Sequence, residues 1–474
     1  MSFLRSILFC LLIQCCLAGS AQKRIKVACV GNSITYGATI ENQEVNSYPA
    51  QLAAMLGRKY DVRNFGRSGT TLLSKGDYPY IAYEEYQEAL AFQPDLVFIK
   101  LGTNDTKPAN RVFLDDFVDD FKKLISSFKQ LPSHPRIVLL LPVPAFVEGD
   151  RGITASVICD NILPKVRQVA FETETEIINL YNLLIDSPAL FTDGIHPSAS
   201  GARIIALRIS DYMKMKTDSC FDLISKLPRD KNLFNFYGFP GYEFSFMGRT
   251  TRVVVPKRVA PGHPGVWRAR FWGHEPQFDI AMLERGFHIV YNDVSEWFGN
   301  EDAITMWNQF YGFLTTAGLG KKALMEGMSR GGFYVYRWAV IYPQRVAAVY
   351  ADAPVLDIKS WPGGKGKSEG SQDDWNIFMA DFHLNDENAA MSFDGNPLDK
   401  TDRIAKAGFP MLHVVGDADT VVPVAENSAL FEKKIKDARG RIQLIHKPEI
   451  GHHPHSLQNP QPIVDFALKA FPKY

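Results

Sequence analysis

Short apolar runs alternate with helical patterns along this chain, and they do so in two separate series; that alternation limits the fold more than any other feature. Runs at Ile25 to Val30, Val62 to Phe65, Leu96 to Leu101, Ile137 to Leu141 and Ile177 to Leu180 form the first series. Such a pattern predicts a parallel sheet covered by helices on its faces. Between the runs lie stretches such as Val112 to Phe128, where Phe113, Phe117, Phe121, Leu124 and Phe128 recur every three or four residues, the spacing of a helix face turned to a core. A second series follows with Tyr242 to Phe246, Arg252 to Val255, Val266 to Phe271, Phe287 to Asn292, Lys322 to Met328, Val346 to Asp352, Phe409 to Val415 and Arg441 to His446. The two series share no sequence repeat. At 474 residues the chain exceeds what one core usually organises, so two domains of roughly 200 to 250 residues are expected.

The expected boundaries are a leader at 1–21, a first module at 22–216, a join at 217–240 and a second module at 241–474. The leader has Arg5, an apolar stretch from Ile7 to Leu17 and the small residues Ala18, Gly19, Ser20 and Ala21. This is the composition of a secretory signal peptide with cleavage after Ala21; about 11 apolar residues are too few for a span that needs about 20. A secreted or periplasmic protein, without a transmembrane segment after cleavage, is the expectation. The join is rich in rings, with Phe234, Phe236, Tyr237, Phe239 and, just beyond it, Tyr242, which reads as burial between domains.

Charge and cysteine content exclude several classes of function. Lys plus Arg and Asp plus Glu both number 52, which removes the basic footprint of a nucleic-acid binder. Of the six cysteines only Cys29, Cys159 and Cys220 would remain after cleavage of the leader, too few and too scattered for a disulfide framework. None has a neighbour at metal-ligand spacing, so no metal and no cofactor are expected. The polar segment Trp361 to Asp374 contains Gly-Lys-Gly-Lys-Ser but lacks the earlier glycine of a phosphate loop and has no strand leading into it; it reads as a surface loop or the edge of a lid.

Chemistry gathers at the ends of the strand-like runs. The first run ends at Val30 and leads into Gly31-Asn32-Ser33; the second and third lead into Phe65-Gly66-Arg67-Ser68-Gly69 and Leu101-Gly102-Thr103-Asn104-Asp105. In open parallel sheets reactive groups collect at the carboxyl ends of strands. Asp193 and His196 stand three apart before a helix whose start is marked by Pro197 and Ser198, a spacing that lets one turn present an imidazole and the carboxylate that orients it. Acyl transfer at neutral pH needs a hydroxyl nucleophile, an imidazole base and donors for an oxyanion. Ser33, His196 with Asp193, and Gly66 with Asn104 are the candidates. These blocks resemble the SGNH/GDSL hydrolase family over about residues 25 to 215, which implies a flavodoxin-like three-layer α/β/α module. Asn32 stands where the family's name has Asp, and Gly-Asn-Ser implies, by resemblance only, relatives that act on acetylated sugars and related esters.

A second set lies in the second series. Ala323 to Glu326 reads as a buried strand, Gly327-Met328-Ser329-Arg330-Gly331 as a tight turn and Phe333 to Tyr342 as a helix, the context of a nucleophile elbow. Asp417 and Asp419 follow the run at Phe409 to Val415, and His452, His453 and His455 follow the last run. The order Ser, Asp, His resembles the α/β-hydrolase family over about residues 240 to 474. That resemblance implies a mostly parallel sheet, favours Asp419 over Asp417 and His452 over His453 or His455, and assigns one oxyanion donor to the backbone N–H of Arg330. The other is expected near Trp272 and Gly273, where the lipase-type glycine run is missing.

Together these readings lead to a bifunctional serine esterase of the carbohydrate acetylesterase kind, with an acylated polysaccharide or glycan as its partner. The alternatives are a lysophospholipase, thioesterase or peptidase activity in one module, or one module that binds without catalysing.

Overall fold

Neighbouring residues of the first-series strands bury on opposite faces, each in its own apolar cluster. Ala28, Val30, Val97, Ile99, Ile137 and Leu139 pack with Phe117, Phe121 and Val166 on one side. Val27, Cys29, Phe98, Val138 and Leu140 pack with Tyr48, Leu52 and Ile205 on the other. A strand that is apolar on both faces can be satisfied only between two layers of helices. The computed structural model describes residues 24–147 and 152–471; the expected leader lies outside the described residues. The first sheet contains β1 (Ile25–Gly31), β2 (Tyr60–Gly66), β3 (Leu96–Lys100), β4 (Arg136–Leu140) and β5 (Glu176–Ile178), all parallel, in the order β2-β1-β3-β4-β5. The helices that matter here are α1 (Ser33–Tyr36), α2 (Phe117–Lys129), α3 (Leu163–Glu172) and α4 (Ala199–Lys214). The aromatic stripe buries as its spacing requires: Phe117, Phe121, Leu124 and Phe128 are inside and Phe113 is half-buried. Each such ring contributes about 1.5–3 kcal/mol of burial.

The second sheet has nine strands in the order β14-β13-β12-β11-β9-β10-β8-β7-β6. They are β6 (Asn232–Phe236), β7 (Phe239–Phe246), β8 (Arg249–Val254), β9 (Gly265–Ala269), β10 (His288–Asn292), β11 (Ala323–Met328), β12 (Val346–Asp352), β13 (Met411–Gly416) and β14 (Ile442–Lys447). From β10 through β9 to β14 the pairing is parallel; β8, β7 and β6 add antiparallel at one edge. Its helices include α5 (Gln277–Leu283), α6 (Glu301–Thr316), α7 (Arg330–Ile341) and α8 (Gln372–Asp381). Again the strands serve two faces, Val266, Leu324 and Val414 on one and Trp267, Met325 and Val349 on the other. The chain is therefore an α/β protein of two sheet modules.

The join is shorter than 217–240. Asn232–Phe236 already pairs antiparallel with β7 as the edge strand of the second sheet, so sheet structure begins before residue 241. Phe236 and Phe239 bury in the same cluster as Val166 and Ala170 of α3, and the Arg167 guanidinium lies over Tyr237, 5.1 Å from its ring centre. Buried polar bonds also cross the junction. Arg208 of α4 pairs with Glu284 just after α5, at 2.5 Å with both side chains nearly buried, and the other Glu284 oxygen accepts the Asn179 N–H at 2.7 Å.

Candidate active sites

Register assembles the first site. Gly31 of β1 pairs with Gly66 of β2 and Lys100 of β3, so the loops beginning at Asn32, Arg67 and Leu101 leave the sheet at one edge. Ser33 opens α1, with Asn32 as its N-cap accepting the Ile34 N–H at 3.2 Å. The helix α4 is capped by Ser198, whose hydroxyl accepts from Gly201 N–H, and the turn before it carries Asp193 and His196. Ser33 Oγ lies 2.8 Å from His196 Nε2, and His196 Nδ1 lies 2.9 Å from Asp193 Oδ2. Asp193 Oδ1 accepts the N–H groups of Ile195 at 3.0 Å and His196 at 2.8 Å. Burial pushes the Asp193 carboxyl up, but the bonds from the His196 ring and the two backbone N–H groups outweigh it and hold the group at about 2. The carboxylate thus stays ionised and fixes the imidazole with its Nε2 lone pair toward the hydroxyl.

The remaining first-site residues divide into two donors, one committed group and two supports. Asn104 Nδ2 donates to Thr70 O at 2.9 Å, which leaves its second amide hydrogen available. The Gly66 N–H, expected as an oxyanion donor, is instead bonded to Asn64 Oδ1 at 2.9 Å. Gly69, three residues on, has φ +83°, open space where a Cβ would stand, and an N–H with no acceptor among the described residues. Asp105 is buried and accepts the Leu72 and Leu73 N–H groups, which pins the intervening loop; burial raises its carboxyl to about 6. Sequence reasoning missed Lys100. It is fully buried below the serine turn, 3.4 Å from Asn32 Oδ1 and 3.1 Å from Thr103 Oγ1, and desolvation pushes its ammonium down to about 7. A lysine closing an otherwise apolar strand run was the available signal.

The second site is built on a strained turn. Ser329 sits between β11 and α7 with φ +49°, a conformation costly for a residue with a Cβ. Glycine is required beside it: a Cβ on Gly327 would lie 2.6 Å from Gly331 O, and one on Gly331 2.6 Å from Ala269 O. The Ser329 N–H donates to Asp352 O at 2.8 Å, which ties the elbow to β12. Ser329 Oγ is 2.9 Å from His452 Nε2, and His452 Nδ1 is 2.7 Å from Asp419 Oδ2. Asp419 Oδ1 accepts the Val421 and Val422 N–H groups at 2.9 and 2.8 Å.

The competing candidates have other partners. Asp417 bonds His446, and His455 bonds Asp352. Arg330 begins α7, so its N–H has no acceptor within the helix. The second donor was expected near Trp272 and Gly273, in the loop after β9, where the Trp272 ring packs against Phe236 and Tyr291 with centroids 5.1 and 5.4 Å away. Ala269, the last residue of β9, meets the elbow at Gly331.

Two supports of the second site were not foreseen. Arg268, fully buried in β9, bonds both Asp279 and Glu326 beneath the elbow, and burial with the Asp279 carboxylate beside it raises the Glu326 carboxyl. Charged residues inside apolar runs were the signal. The segment from Trp361 to Asp374 holds no phosphate cradle. Trp361 buries with Phe298, Phe333 and Trp375, Ser368 donates its hydroxyl to Val421 O at 2.6 Å and Glu369 its N–H to Thr420 O at 3.1 Å, and Asp374 pairs with Arg330. The segment is therefore tied to the loop carrying Asp419. Expectation found no metal ligands, having weighed cysteine spacing; the fold nevertheless gathers His274, His453 and His455.

Residues 29–204 match the GDSL-like Lipase/Acylhydrolase family. The match lies within the N-terminal module. An acetylxylan esterase of Xylanibacter ruminicola is 39% identical over 208 residues, covering 40% of this chain and 43% of that protein. The GDSL esterase/lipase WDL1 of Oryza sativa subsp. japonica is 25% identical over 141 residues, 26% of this chain and 54% of that protein. The chain thus spans about half the length of the curated relatives it matches. Among solved structures, an acylaminoacyl peptidase of Pyrococcus horikoshii is 17% identical with a TM-score of 0.40, covering 53% of this chain and 43% of its own. An aryl esterase of M. smegmatis is 17% identical with a TM-score of 0.33, covering 40% and 98%.

Proposed function

We propose that this protein is a serine esterase with two independent sites, acting on acylated carbohydrate. The observation that carries the reading is the pair of complete Ser-His-Asp relays, one on each sheet, with every link between 2.7 and 2.9 Å. In each, the serine hydroxyl attacks the ester carbonyl while the imidazole takes its proton. The carbonyl oxygen becomes an oxyanion, met in the first module by the Asn104 amide with the Gly69 N–H and in the second by the Arg330 N–H. Collapse expels the alcohol, protonated by the imidazolium, and leaves an acyl-serine; water, deprotonated by the same imidazole, releases the acid. His196 and His452 are the bases, and Asp193 and Asp419 hold their tautomers. No step requires a cofactor.

The acyl group and the sugar rest on likeness. The name of the Xylanibacter ruminicola relative, an acetylxylan esterase, supports acetyl esters of a polysaccharide as substrate. Export is part of the proposal on the composition of the leader, and N-terminal sequencing of the mature protein tests it. Acetate release from acetylated xylan, pectin and sialosides, measured for the wild type and for Ser33→Ala and Ser329→Ala separately, tests the substrate. A partial loss in each variant is expected. No acetate from any polymer removes the sugar-ester reading, and an unchanged rate in one variant makes its module silent toward that substrate.

A further inference from the structure

We propose that His274, His453 and His455 form a binding site for a divalent transition metal of the zinc class, beside the second serine site and distinct from its relay. One ring nitrogen from each of the three lies within 4.8 Å of the others, although His274 comes from the loop after β9 and the other two from the loop after β14. The ring centres are 5.7, 5.8 and 4.7 Å apart.

The three side chains differ in a way that suits a metal. His455 is buried, and its Nδ1 lies 2.8 Å from Asp352 Oδ1. A carboxylate that accepts from one ring nitrogen leaves the lone pair on the other and stiffens the ring, the arrangement that supports metal-binding histidines. Asp352 is itself held, its other oxygen accepting the Ser456 N–H at 2.8 Å and the Tyr350 hydroxyl at 3.1 Å. His274 and His453 are exposed, and neither ring has a hydrogen-bond partner among the described residues. A tetrahedral ion with metal–nitrogen distances of about 2.0–2.1 Å needs its ligands about 3.3 Å apart. The contraction from 4.8 Å falls on these two free rings, which can turn about their side-chain torsions while His455 stays fixed. Three imidazoles without thiolate select Zn²⁺, Co²⁺, Ni²⁺ or Cu²⁺ over Mg²⁺ or Ca²⁺, and a fourth position stays open to water.

The site would join two loops that the second relay depends on. His453 and His455 follow the base on its loop, their ring centres 5.1 and 4.9 Å from that of His452. A bound ion would tie this loop to the one following β9. The inference does not rest on the esterase reading, because its measurement needs no turnover.

Full-length protein freed of metal with a chelator is titrated with Co²⁺ and followed by visible absorption. Zinc content is measured separately after Zn²⁺ loading and gel filtration. The expected result is one ion per chain, with the intense visible bands of a four- or five-coordinate nitrogen site. His274→Ala and His453→Ala, both at exposed positions, should each lose the bands and the retained zinc while keeping the wild-type circular dichroism. Wild-type protein that retains no zinc, or a His274→Ala/His453→Ala double variant that binds Co²⁺ with the wild-type spectrum, overturns the proposal.

Discussion

Replacing Asp193 by Asn exchanges one carboxylate oxygen for an NH₂ group, which removes the charge and changes almost no volume. The Asn carbonyl oxygen can still accept the Ile195 and His196 N–H bonds that Asp193 Oδ1 accepts at 3.0 and 2.8 Å. Its amide nitrogen, however, takes the place of Oδ2 against His196 Nδ1, 2.9 Å away, and must donate. Nδ1 then becomes the acceptor, the ring proton moves to Nε2, and Ser33 Oγ, 2.8 Å off, meets a hydrogen where it needs a lone pair. Losing the tautomer costs about 10⁴-fold in rate, or about 5.5 kcal/mol in the transition state. The fold loses far less. The gap between the ordinary 3.8 and about 2 corresponds to ~2.5 kcal/mol, reduced to about 1 kcal/mol by solvent screening of this partly exposed group. Because the folded carboxyl lies below its unfolded value, that contribution is present above pH 3.8 and lost as pH falls through about 2. The assay is kcat/KM on a short-chain aryl ester in the Ser329→Ala background, with urea unfolding at pH 7 alongside. A rate loss under tenfold, or one explained by unfolding, refutes the tautomer argument.

Three further outcomes follow from the same structure. Glu284→Ala leaves Arg208 buried and unpaired at the module junction and should lower stability by about 3–5 kcal/mol in denaturant unfolding. Lys100→Met removes a buried amine held at about 7 against an ordinary 10.5; in the wild type the unfolded chain binds the extra proton between those values, so stability rises with pH across that window, and the variant should lack this part of the slope in pH-dependent unfolding. Gly327→Ala places a Cβ 2.6 Å from Gly331 O; calorimetry should find it less stable by roughly 1–3 kcal/mol, and second-site turnover in a Ser33→Ala background should be lost.

Both sheets were legible because a strand covered on two faces is apolar over most of its length, and each run expected as a strand overlaps one. Ser33, Ser329, Asp419 and His452 were legible because each falls within a few residues of a strand end, and Asp193 with His196 because they stand three apart just before the start of α4. Less local features were hidden. β6 escaped because an edge strand need bury only one face: Leu233 is 59% exposed, and the run looks like the rest of the join. Gly66 and Gly69 cannot be told apart without knowing that the Asn64 side chain takes the first N–H. Lys100, Arg268 and Glu326 each interrupt an apolar run, yet their partners lie on other elements. His274 gains its meaning only when the loop after β9 meets the loop after β14.

The central claim is that Ser33 and Ser329 are both imidazole-activated hydroxyls. Intact-mass measurement after exposure to a fluorophosphonate, which attaches covalently to such serines, addresses it most directly. The account predicts two adducts on the wild-type chain, one on Ser33→Ala, one on Ser329→Ala and none on the double variant. A wild-type chain that takes up no label, or a double variant labelled like the wild type, contradicts it.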